Sequence, residues 1–146
     1  MSAEENKALV RHLFEESNKG KTAAMAVIDE LYDANIVLHC PRGKDICGLK
    51  DFKQANEESF DEIPDAISTI DDMIAEGDKV AVRLTMTGTY VGKMGDTSSP
   101  SKKLTVSMIV IDRVVGGKFV ESWVRYDTLS WMKQLGRVPP QRKKVK

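Results

Sequence analysis

Apolar positions recur every three or four residues over the first third of the chain and every second residue over the last half. Leu9, Val10, Leu13 and Phe14 fall on one helical face, while Glu4, Lys7, Arg11, Glu15 and Glu16 fill the other. Ser2 stands three residues before Glu5, a capping-box spacing, so the first helix is expected to begin there. Gly20 is expected to close it in a left-handed C-cap, and Thr22 to cap a second helix carrying Met25, Ile28, Leu31 and Tyr32. Asn35 breaks that helix, and the run Ile36 to Pro41 reads as a short strand stopped by proline. A loop holding Gly43 and Gly48 leads to a third helix over residues 49–60, ended before Pro64.

Beyond Pro64 the period changes to that of strands. Residues 66–75, 79–90, 102–115 and 118–126 read as four strands, with Glu76-Gly77-Asp78 and Gly116-Gly117 supplying turn chemistry. A polar loop, residues 92–101, separates the second and third of these, and a short helix over residues 127–135 ends at Gly136. Helices gathered against one face of an antiparallel sheet make an α+β fold. Strands of about 12 residues rise about 40 Å, too long to stay flat, so the sheet is expected to curl around the helices and leave a cavity.

The composition adds one asymmetry. The chain has 146 residues with 22 Lys plus Arg against 22 Asp plus Glu, so its formal charge is zero. Yet residues 137–146 hold five basic side chains and no acidic one, leaving residues 1–136 with 17 basic against 22 acidic. One domain over residues 1–136 followed by a solvated basic tail accounts for this. Lacking aromatic interleaving or a second basic patch, the tail is read as contacting neither nucleic acid nor membrane. No run approaches the ~18 apolar residues of a membrane span and the N-terminus is acidic, so the protein is expected to be cytoplasmic.

Two cysteines, Cys40 and Cys47, have six residues between them and only His39 nearby. Structural zinc sites need four ligands, so both are read as reduced thiols and no metal site is assigned. Histidine as a residue type can act as a general base near neutral pH, and His39 stands late in the first strand. His12 lies between polar neighbours and reads as a surface residue. Asp127 is a natural N-cap for the last helix and a second titratable candidate.

Several separated segments, taken together, are familiar: Asn6 to Arg11, Asp29-Glu30-Leu31-Tyr32, Val37 to Pro41, Ile74 to Arg83, Gly117 to Trp123, Asp127-Thr128-Leu129 and Gln134-Leu135-Gly136. They resemble the SnoaL-like polyketide cyclase family, over residues 5–136. The resemblance implies the cone-shaped α+β fold of the nuclear transport factor 2 superfamily, with three helices inside a curved sheet. It also implies acid/base chemistry without a cofactor on a hydrophobic carbonyl compound, such as aldol cyclisation, isomerisation or dehydration. A non-catalytic small-molecule carrier of the same fold is the alternative.

Laid on this chain without gaps, the family's acid/base aspartate falls on Val124 and its histidine on Val110. The related steroid isomerases' base falls on Cys40. No carboxylate or imidazole stands at these positions, so His39 as base and Asp127 as orienting group or acid are the catalytic candidates.

Alternation puts Val106, Met108 and Val110 with Val120, Ser122 and Val124 on the face that the alignment turns to the cavity. The expected substrate-binding set is Phe14, Tyr32, Cys40, Phe52, Phe60, Met108, Val110, Ser122, Val124 and Tyr126. The opposite face, with Ile109, Ile111 and Trp123, is apolar enough to suggest a homodimer through the outer sheet. A bulge would exchange the faces locally, which leaves Trp123 and Tyr126 open to either side.

Overall fold

The structure, a computed structural model, describes residues 2–92 and 101–136; most of the polar loop and the basic tail lie outside the described residues. Helix α1 (Ala3–Ser17) starts where Ser2 Oγ accepts from the Glu5 amide, the reciprocal contact being between the two side chains. Its C-cap is Asn18 rather than Gly20. Asn18 ties the helix end to the sheet, its amide group donating to the Ser68 carbonyl and accepting from the Ser68 N–H. Gly20, with φ of 122°, is instead the N-cap of α2 (Lys21–Leu31), and Thr22 lies inside that helix. Glycine serves because only the positive φ turns the chain that sharply.

Strand β1 (Tyr32–His39) begins four residues earlier than the pattern suggested, so Tyr32 belongs to the sheet and not to α2. Strand β2 (Ile46–Cys47) is a two-residue hairpin partner of β1 inside the segment expected to be loop. Helix α3 (Leu49–Glu62) follows. Then come β3 (Ile67–Glu76), β4 (Lys79–Tyr90), β5 (Lys102–Val115), β6 (Lys118–Tyr126) and α4 (Thr128–Gln134). The last two strands and β4 have the bounds that alternation predicts. Gly116 and Gly117, at φ of 57° and 76°, make the primed turn between β5 and β6.

The six strands form one sheet in the order β2-β1-β6-β5-β4-β3. Strands β3 to β6 form an antiparallel meander, and β1 joins β6 in parallel, pairing Leu38 with Ser122 and His39 with Trp123. Register shifts near Ile70/Asp72 and at Arg113/Val114 mark bulges, which bend long strands. The second of these turns Phe119 onto the inner face, where it is fully buried, and displaces Val120 from the cavity-facing row.

The main core packs α1, α2 and α3 against the concave sheet through Val10, Leu13, Val27, Ile28, Phe52, Val82 and Leu84. A second cluster at the wide end gathers Ile63, Met86, Tyr90, Leu104, Val106 and Leu135 beneath α4. Gln134 clasps α4 to β5, accepting from the Thr105 N–H and donating to its carbonyl, while Lys102 Nζ donates to the Leu135 carbonyl. Among the described residues no helix is long and apolar enough to cross a membrane.

Candidate functional site

Between the helices and the inner sheet face lies a cavity of about 400 Å³. Its middle is apolar, walled by Phe14, Phe52, Phe60, Met108, Val110 and Val124. Trp131 of α4 covers the wide end and packs against Tyr90 and Tyr126. Tyr32 and Ser122 complete the set expected on the lining, apart from Cys40. Cys40 is not among the lining residues; it follows β1, partly buried, with its thiol pushed up by desolvation. Both cysteines are free thiols, and among the described residues no cluster of three or more His, Cys, Asp or Glu side chains could hold a metal ion.

The inner row of β5 runs Val106, Met108, Val110 and then Asp112, whose side chain is 1% exposed. Asp112 and Ser122 are register partners, and the Ser122 hydroxyl donates to Asp112 Oδ1 at 2.5 Å. Asp112 Oδ2 is buried with no hydrogen-bond partner. Desolvation outweighs the serine bond and raises the carboxyl to about 6, against an ordinary value of 3.8. Tyr32, 8% exposed, lines the same cavity. Burial and the Asp112 charge both oppose ionisation of its phenol, so it stays a donor.

Sequence reasoning missed Asp112. The signal was present: a lone carboxylate continuing an otherwise apolar row of a strand has no solvent to face, and burial of that kind marks a candidate site.

His39 does not reach this cavity. Leu38 points inward beside Ser122, so alternation turns His39 outward beside Trp123, on which its ring stacks at 5.2 Å. Its Nε2 lies 2.7 Å from Glu121 Oε2 and its Nδ1 2.9 Å from Asp45 Oδ2. Those bonds, Glu121 first, raise the imidazole above its ordinary value against the opposing effect of burial, and Arg113 braces Glu121 from the other side. Asp127 caps α4, its Oδ1 accepting from the Ser130 N–H, and borders a shallow depression on the outer face. The structure therefore joins neither catalytic candidate to the cavity. It resolves the two open aromatics as well: Trp123 faces outward and Tyr126 inward.

Residues 8–135 match the model of SnoaL-like polyketide cyclases. The chain belongs to the SnoaL-like polyketide cyclase family. The solved structures similar to it include a candidate SnoaL-like polyketide cyclase from Jannaschia sp. CCS1, with a TM-score of 0.83 and 20% identity over 94% of this chain and 95% of that one. AclR of Streptomyces galilaeus, described as a candidate hydroxylase, aligns with a TM-score of 0.80 and 24% identity over 97% of this chain and 91% of its own. IdmH of Streptomyces antibioticus, a candidate polyketide cyclase, gives 0.76 and 22% over 90% and 98%. At such identities the likeness establishes the shared nuclear transport factor 2-like fold. No curated protein matches the chain in sequence. Within the SnoaL-like frame of this chain, the inner face of β5 and β6 carries Asp112 and Ser122 beside the apolar Val110 and Val124.

Proposed function

We propose that this SnoaL-like protein moves a proton at a carbon adjacent to a carbonyl of a hydrophobic compound held in the cavity. Asp112, not His39, serves as the base. One observation carries this reading: a buried carboxylate with a pKa near 6 and a free oxygen, on the wall of an apolar cavity. Above that pKa the carboxylate is ionised, yet it is more basic than an exposed aspartate, which suits general-base work worth about 10²- to 10⁴-fold in rate. Asp112 Oδ2 takes the proton and becomes a carboxylic acid, while the C–H electron pair passes into the enolate. The Tyr32 hydroxyl donates to the enolate oxygen. Attack of the enolate carbon on a second carbonyl forms the ring C–C bond as that carbonyl's π pair becomes an alkoxide, which takes the proton back from Asp112; return of the proton to another carbon instead isomerises. These steps need no cofactor, and likeness to the Jannaschia and IdmH proteins, both described as candidate polyketide cyclases, favours the cyclising outcome.

We also infer that two copies associate through the outer sheet face. Ile109, 52% exposed, stands between Arg83 and Arg125 on neighbouring strands, and Ile111 pairs with Trp123 beside it.

The proton-transfer reading is tested with 2-tetralone in D₂O, following loss of its α-proton signals by NMR. The protein is expected to accelerate exchange, with a rate that rises as pH passes about 6, and Asp112→Asn to abolish the acceleration. Exchange no faster than in buffer, with 2-tetralone bound, would favour a carrier of apolar ligands instead.

A further inference from the structure

Arg42 is the one cation among the described residues that line the cavity. It stands in the loop between β1 and β2, exposed at the rim, and its Nε donates to Tyr126 Oη at 3.1 Å. The guanidinium carbon lies 5.8 Å from the Tyr126 ring centroid, so the side chain is anchored at its inner edge. The two terminal nitrogens are left over: no described carboxylate comes within ion-pair distance of Arg42. Among the described arginines, Arg113 pairs with Glu121 and Arg83 with Asp71. A fixed guanidinium fork with both terminal nitrogens open is shaped for a planar, two-oxygen acceptor.

The other charged groups on the lining are Glu62, at the end of α3, and Asp112. Both repel a second negative charge. A polyanionic group such as a phosphate would gain one cation and meet two carboxylates in the same cavity, whereas a single carboxylate needs only the one partner. The apolar side chains between rim and wall accept hydrocarbon and offer no further ionic contact.

We propose that Arg42 selects a substrate bearing one carboxylate, held at the rim while its apolar body reaches toward Asp112. This rests on the reading that the cavity is the substrate site, and it sets which end of the molecule enters first. The carboxylate end stays at Arg42, so the carbon that loses a proton belongs to the opposite, apolar end.

Binding of 2-naphthoic acid and of its neutral analogue 2-acetylnaphthalene, measured by calorimetric titration near pH 7, tests the proposal without any turnover. The protein is expected to bind the carboxylate at least tenfold more tightly than the ketone. Arg42→Met is expected to erase that preference while leaving ketone affinity within about twofold, and Arg42→Lys to retain part of it. Equal affinities in the parent protein, no binding of naphthoate at millimolar concentration, or a preference that survives in Arg42→Met would each overturn it. Asp112→Asn separates the two ideas: it removes the acid/base chemistry and, by removing a like charge from the lining, is expected to preserve or strengthen the carboxylate preference.

Discussion

Ser122 Oγ and Asp112 Oδ1 meet across β5 and β6 at 2.5 Å, and this hydroxyl is the only hydrogen-bond donor to the Asp112 side chain among the described residues. One donor does not replace the hydration that a carboxylate loses on burial, so the pair leaves Asp112 with a pKa of about 6. That balance has a cost in stability and a use in chemistry.

The cost is measurable. A folded-state pKa raised above the unfolded one means that the native protein holds the proton more tightly, so this contribution is full below about pH 4 and is lost as pH rises through 6. At about 1.4 kcal/mol per pKa unit the loss amounts to roughly 3 kcal/mol. Asp112→Asn is expected to be more stable than the parent near pH 8 and close to it near pH 4, in denaturant titrations at the two pH values. Equal stability changes at both would contradict the burial argument.

His39 has the same direction of shift from an opposite cause, hydrogen bonds to Glu121 and Asp45. Its stabilising contribution is present below the ordinary histidine value and is lost as pH climbs through the raised one. The thermal midpoint of the parent should therefore fall between about pH 6 and pH 9 by more than that of His39→Gln. Because His39 faces away from the cavity, the same variant should keep its exchange activity on 2-tetralone.

Asp127 acts on α4 through its cap. Asp127→Ala removes the acceptor for the Ser130 N–H and is expected to cost about 1 kcal/mol in unfolding free energy. Asp127→Ser, which can accept the same bond, should restore most of it. If Asp127 had a direct part in catalysis, serine would restore stability without activity.

Association through the outer face predicts that Ile109→Lys shifts the protein from dimer to monomer in sedimentation. Ile109 stands beside Arg83 and Arg125, so a third cation concentrates like charge at the contact. Naphthoate binding in the cavity should be unaffected, since Ile109 points away from it.

The strands 79–90, 102–115 and 118–126 and the Ser2 cap were legible in the sequence because alternation, turn glycines and capping act over a few residues. So were most of the cavity's apolar walls, once the family resemblance assigned the inner face. What the chain could not show locally was which groups meet. Parallel pairing of β1 with β6 joins residues more than 80 positions apart, and that register sends Leu38 inward and His39 out to Glu121. A bulge near Val114 decides that Phe119 rather than Val120 enters the core. Asp112 reads as an ordinary polar residue near a strand end until β6 sets Ser122 against it and the helices close off solvent. Local periodicity determined the elements; strand register and burial, which are sums over distant contacts, decided the chemistry.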